Sequence, residues 1–154
     1  MDDARIRFLR DRVMTATPAQ RVVMLFDRLA LDLQRSVDSI DSIDSTDSAE
    51  AGVHIGHATT IVAELLGSLD QTVGGPADNL GALYTFLLKE LTAARVDNDS
   101  ARIKPLQAIV AGLRDAFAEA AATLAGAVAV TAAASASASF GTGTVAQPAR
   151  AWVG

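Results

Sequence analysis

The stretch Val13-Met-Thr-Ala-Thr-Pro18, followed by Val22-Val-Met-Leu-Phe-Asp27, predicts where the first long helix begins and which of its faces is apolar. Thr17 is a favourable N-cap, Pro18 suits the first helical position, and Gln20 can complete a capping box. From there, apolar residues recur at three- and four-residue steps, at Val22, Leu25, Phe26, Leu29, Leu33, Val37 and Ile40. An apolar stripe of this width must be covered by other elements.

The same periodicity predicts three further helices. The first of these runs from roughly Ala49 to Leu69, and its inward residues are predicted to be Val53, Ala58, Ile61, Val62, Leu65, Leu66 and Leu69. The other two helices cover Leu80 to Ala94 and Ile103 to Leu124. The Asp-Ser repeat of residues 38–48 predicts a frayed helix end and an acidic loop, and the later connections are Gly74-Gly75-Pro76 and Asn98-Asp99-Ser100. Four amphipathic helices with short loops predict an all-α, antiparallel up-and-down four-helix bundle. We expect the short N-terminal segment, Arg5–Arg12, to pack on this bundle.

The composition changes near residue 125, where Ala, Ser, Gly and Thr become dominant. We therefore predict a bundle domain over residues 1–125 and a low-complexity tail over residues 126–154. The tail should be helical for a few turns and disordered from about Ser135, because it has too little apolar mass to fold. A membrane span is the alternative, but Ala contributes little to insertion and Leu and Ile are nearly absent. We expect no membrane insertion.

Composition and charge limit the classes of function. The chain has 154 residues, a formal net charge of −5 and no Cys, which excludes disulfides and thiolate metal sites. Residues 1–28 carry six Arg and four Asp, whereas residues 29–78 carry one Arg and nine acidic residues. With no longer basic block, we expect no nucleic-acid partner. The N-terminus lacks the apolar core of a signal peptide, so we expect a cytoplasmic protein.

No catalytic constellation is evident, so we do not expect an enzyme or a bound cofactor. Gly74-Gly75-Pro76 lacks the Lys of a phosphate-binding loop, and no Ser–His–acid arrangement can be argued from two nearby histidines. His54 and His57 stand one turn apart with Glu50 a turn earlier. This spacing leaves an alternative open, a stand-alone helical bundle that binds a metal or small molecule through these three residues. Solvated polar residues are the simpler interpretation.

Six short motifs occur in an order and spacing that carry more information than any of them alone. They are Phe8 five residues before Val13-x-Thr-Ala-Thr-Pro18, Met24-Leu-Phe-Asp27, Ser68-Leu-Asp70 with Gly74-Gly75, Asn79-Leu-x-x-Leu-Tyr84, Asn98-Asp99, and Leu113-Arg-x-Ala-Phe117. Together they resemble the FliS family, the flagellar export chaperones that guard flagellin, over about residues 8–120. The chain departs from the family at four positions: Phe8 and Phe26 replace Tyr, Arg28 replaces Gly, and Phe117 replaces Trp.

The resemblance implies a cytoplasmic type III export chaperone. Such a protein binds the C-terminal segment of flagellin, prevents its premature polymerisation and keeps it competent for export, without a cofactor. The flagellar export gate is a possible second partner. By the same resemblance, the client site is lined or bordered by Phe8, Val13, Leu25, Phe26, Asp27, Asn79, Leu80 and Tyr84. Among these we expect Leu25, Leu80 and Val13 to serve the core instead.

Overall fold

A computed structural model describes residues 2–43, 47–70 and 74–150 of the chain. All of the regular secondary structure in these ranges is helical. The helices are α1 (Asp2–Thr15), α2 (Pro18–Asp41), α3 (Asp47–Gly67), α4 (Pro76–Asp97) and α5 (Ser100–Arg150). The predicted all-α fold is confirmed. Residues 44–46, at the centre of the predicted acidic loop, lie outside the described ranges.

The chain divides into two compact units, the first ending at Ala118 and the second beginning at Glu119. In the first unit, α2, α3, α4 and the beginning of α5 form the bundle around one apolar core. Its largest fully buried apolar side chains are Tyr84, Phe26, Leu29, Leu33, Ile55, Leu87, Leu91, Ile103, Leu106, Val62 and Val110. Each of the four helices therefore contributes the apolar stripe that its periodicity predicted.

Local sequence explains where α2 begins. The Thr17 hydroxyl accepts a 3.2 Å hydrogen bond from the Gln20 backbone N–H, and the Gln20 side chain accepts one of 3.0 Å from the Thr17 N–H. The predicted capping box is thus present, with Pro18 at the first helical position. A cap of this kind typically stabilises a protein by about 1 kcal/mol.

Two turns precede α4 and α5 in the first unit. Gly74 and Gly75 have φ angles of 67° and 61°, which glycine adopts without the steric penalty that a Cβ would bring. Asn98 ends α4 in the left-handed conformation (φ 51°), and its N–H donates to the carbonyl of Ala94. Both motifs that were predicted to be turns from the sequence therefore form turns.

The prediction that Val53 faces inward was wrong, because its side chain is 55% exposed. The predicted inward residues Ala58, Ile61, Val62 and Leu65 are buried, and Ala51 and Ile55 extend this stripe toward the start of α3. Two residues along a helix correspond to about 200° of rotation, so Val53 lies opposite Ile55. Ala51, a small residue at the start of the stripe, concealed this end of it in the sequence.

The N-terminal segment differs from the expected packed flap. α1 contains no buried residue, and Phe8 is 66% exposed and Ile6 61%. Helical geometry gives a reason: Ile6, Leu9 and Val13 share one side of α1, whereas Phe8 lies on a different side, about 100° to 160° around the helix axis from them. The apolar side chains are thus divided between two faces of a helix that also carries four Arg.

The C-terminal part of the chain is more helical than predicted. We expected disorder from about Ser135, but α5 continues to Arg150. Alanine, the residue of highest helix propensity, is the most frequent residue up to Ala138 and favours continuation of the helix there, whereas Gly141, Gly143 and Pro148 oppose it. Among the described residues, one helical stretch, Ser100–Ser137, is long and apolar enough to cross a membrane by length and composition. One such helix is weak evidence for a membrane span.

Candidate client-binding surface

Two of the eight predicted site residues lie inside the core. The side chains of Phe26 and Tyr84 are almost fully buried, and their ring centroids are 6.5 Å apart. Phe26 also packs against Phe117, with the centroids 5.1 Å apart. Burial raises the pKa of the Tyr84 hydroxyl above its ordinary value. These rings therefore hold α2, α4 and α5 together and present little surface to a partner.

The other six predicted site residues are closer to solvent. Leu25 and Leu80 are partly buried and pack against the core, as expected for them. Val13 does not pack against the core as expected, because its side chain is 48% exposed. The exposed members of the set are Phe8, Val13, Asp27 and Asn79.

Asp27 has a defined partner in the first unit. Its carboxylate accepts a 2.8 Å hydrogen bond from Nε of Arg114, and the two side chains are 52% and 40% exposed. This hydrogen bond raises the pKa of the Arg114 guanidinium above its ordinary value. Asp27 is therefore a surface residue whose carboxylate is held by α5.

A shallow groove that the sequence did not predict follows the outer side of α4. Its larger part has a volume of about 590 Å³ and is lined by Thr85, Leu88, Lys89, Thr92, Ala93, Val96 and Asp97. A smaller part of about 290 Å³ is lined by Leu66, Ala77, Asp78, Gly81, Ala82 and Thr85. Because both parts include Thr85, we treat them as one surface, the α4 groove. The one signal in the sequence was Val96, an apolar residue outside the predicted inward stripe, which is 79% exposed.

A second unpredicted feature lies between α2 and α3. Asp32 is completely buried, and its Oδ2 lies 3.1 Å from Nε of Arg28. Nδ1 of His54 and Nδ1 of His57 lie 3.6 and 4.0 Å from the other carboxylate oxygen, Oδ1. Glu50, which the sequence suggested as the third ligand, is exposed and is not part of this group. Asp32 takes its place.

The fold and these surfaces define a class of protein, a small helical bundle that presents apolar surface on a helix face. The family model described as Flagellar protein FliS matches residues 1–124 of the chain. The chain therefore belongs to the FliS family, which is a family of soluble flagellar export chaperones and not of enzymes. Membership implies that it binds a flagellar protein partner. A search of curated proteins found no match.

Proposed function

We propose that this protein binds the C-terminal segment of flagellin in the cytoplasm and keeps it from polymerising before export. The observation that carries the proposal is the ordered set of motifs from Phe8 to Phe117, which falls within the residues matched by the family. The resemblance of those motifs is to chaperones whose client is flagellin. Delivery of the client to the flagellar export gate completes the proposed role.

Physical considerations support a role in binding a chain segment. An amphipathic segment can lay its apolar side into a groove on a helical bundle, which is a recurring mode of peptide recognition. A disordered client that folds on binding can cover a large surface while its net affinity stays moderate, because ordering it costs conformational entropy. Moderate affinity suits a chaperone that must later release its client.

We assign the client contacts to the accessible members of the predicted set and to the α4 groove. Phe8 and Val13 offer apolar side chains on α1, and Asp27 and Asn79 offer polar groups on α2 and near the start of α4. Phe26 and Tyr84 act from the core, since their rings set the spacing of the helices. The proposed mechanism is stoichiometric: the bound client cannot use its apolar faces to polymerise.

A binding measurement with matched valine variants tests the groove. Val96 and Val53 are both exposed on helices, at 79% and 55%, but only Val96 lines the α4 groove. In calorimetric titrations with a peptide of the host flagellin C-terminus, we expect Val96→Asp to weaken binding about tenfold or more. Val53→Asp should bind like the wild type. Equal affinity of all three proteins would remove the groove from the proposed site.

The proposal that this protein binds flagellin and delays its polymerisation is tested with the wild-type protein alone. Saturable binding of the flagellin peptide at one to one, together with delayed flagellin polymerisation at that ratio, is the expected result. Binding to full-length flagellin should disappear when its C-terminal segment is deleted. If the deletion leaves binding unchanged, the client segment has been assigned incorrectly.

A further inference from the structure

The interior of the bundle between α2 and α3 contains polar atoms without a partner. Oδ1 of Asp32 and Nδ1 of His54 are both inaccessible to solvent, and neither has a hydrogen-bond partner among the described residues. Leaving a buried polar atom unpaired destabilises the folded protein, and a charged group does so more strongly. A cation bound between the Asp32 carboxylate oxygen and the two imidazole nitrogens would remove this destabilisation.

The distances are close to those of a metal site. One ligand atom from each of Asp32, His54 and His57 can be chosen so that all three lie within 4.8 Å of one another. A tetrahedral zinc ion with bonds near 2.0 Å holds its ligand atoms about 3.3 Å apart. The separations of 3.6 and 4.0 Å from Oδ1 to the two nitrogens would need to shorten by less than an ångström.

We propose that Asp32, His54 and His57 form a binding site for one divalent transition-metal ion of the zinc type. Oδ1 of the aspartate and Nδ1 of each histidine are the ligands. Two imidazoles and a carboxylate suit Zn²⁺, Co²⁺ or Ni²⁺ better than Ca²⁺ or Mg²⁺, which prefer oxygen ligands alone. The His57 side chain is 56% exposed, so the site opens to solvent on that side and has room for a water as fourth ligand.

Arg28 gives the site its second layer. Its Nε donates a 3.1 Å hydrogen bond to Oδ2 of Asp32, which leaves Oδ1 directed at the histidines. Hydrogen bonds of this kind orient a metal-binding carboxylate and are a regular part of metal sites in proteins. The bound ion would connect α2 to α3 through side chains on both helices. It would therefore stabilise the folded bundle against unfolding.

The test is a titration of the full-length, untagged and chelator-treated protein with zinc sulfate. The chain has only two histidines and no cysteine, so few competing sites exist. Isothermal titration should show one equivalent bound, and thermal unfolding should move to higher temperature with added Zn²⁺. Titration with Co²⁺ should give the visible absorption of a tetrahedral site.

Variants separate this site from others. His57→Gln changes an exposed side chain, so the variant should fold, and we expect Zn²⁺ binding about tenfold weaker or more with the thermal shift lost. Asp32→Asn is the isosteric second variant, and it should also bind Zn²⁺ more weakly and lose the thermal shift. Glu50→Gln, on the same helix, is the matched control and should bind like the wild type. No saturable Zn²⁺ binding by the wild type, or undiminished binding by His57→Gln, would overturn the proposal.

Discussion

The carboxylate of Asp27 accepts a 2.8 Å hydrogen bond from Nε of Arg114, a residue 87 positions later in the chain. Each belongs to one of the family motifs, Met24-Leu-Phe-Asp27 on α2 and Leu113-Arg-x-Ala-Phe117 on α5. The neighbouring aromatic residues of the same motifs, Phe26 and Phe117, also pack together. The two motifs are thus one structural unit, joined by an aromatic contact inside and an ion pair outside.

The ion pair should be measurable by a double-mutant cycle with Asp27→Ala, Arg114→Ala and the double variant. We expect the loss of stability caused by Arg114→Ala to be smaller when Asp27 is already absent. Because both side chains are about half exposed, the coupling should be small and should decrease as salt is added. Urea denaturation at low and high salt measures it. Strictly additive effects at low salt would show that the pair contributes nothing to stability.

The aromatic contact should matter much more for stability. Phe26→Ala removes a fully buried ring that packs against Tyr84 and Phe117, and we expect it to lower the free energy of unfolding by about 3 to 5 kcal/mol. Phe8→Ala is the matched control, because Phe8 is 66% exposed and should change stability by less than about 0.5 kcal/mol. Urea denaturation of the two variants compares them directly. Similar losses in both would mean that α1 is packed in solution.

Much of the fold could be predicted because its determinants are local. The capping box of Thr17 and Gln20 involves residues three positions apart, and helix periodicity shows in any window of two or three turns. The turn at Gly74-Gly75 is equally local, since positive φ angles favour glycine. These features do not depend on which helix packs against which.

The candidate sites could be predicted less well because they depend on tertiary packing. Phe26 lies on the predicted apolar stripe of α2, but the family motifs also made it and Tyr84 candidates for client contact, and only the packed bundle shows that both rings are fully buried. Asp32 lies on the inward stripe of α2 between Leu29 and Leu33, which was the one signal that it is buried. Its approach to His54 involves a second helix, and no spacing along one helix reveals it.

Burial of Tyr84 should be visible in the alkaline titration of the protein. Its hydroxyl has a pKa raised above 10.0 by desolvation, so the neutral form is favoured in the folded state. The stability contributed by this preference is complete below pH 10 and is lost as the pH rises through the higher folded pKa. Tyr84 is the only tyrosine, so ultraviolet absorbance of tyrosinate reports on it alone.

We expect the tyrosinate midpoint of the folded protein to lie above that of the same protein in denaturant. Tyr84→Phe should retain more of its stability than the wild type at high pH, because it has no group to ionise. Equal midpoints in the folded and denatured protein would show that the hydroxyl is not buried in solution.

The loss of folding stability at acidic pH should depend on Asp41, at the end of α2. The Ser100 hydroxyl donates a hydrogen bond to its carboxylate, and Nζ of Lys104 lies 2.9 Å from it. The Ser100 hydrogen bond and then Lys104 lower the pKa of Asp41 below 3.8, because both favour the charged form. The resulting stability is complete above the unfolded pKa near 3.8 and is lost as the pH falls through the lower folded pKa.

Asp41→Asn should therefore be less stable than the wild type near neutral pH, and the difference should narrow below about pH 3.8, where the wild-type carboxylate becomes protonated. Urea denaturation of both proteins across this range measures the difference. Asp38→Asn is the matched control one turn earlier on α2, since its carboxylate accepts a hydrogen bond from the uncharged side chain of Gln34. It should leave the contacts of Asp41 with Ser100 and Lys104 in place. A difference between Asp41→Asn and the wild type that stays constant across the acid range would show that ionisation of Asp41 does not stabilise the α2–α5 contact.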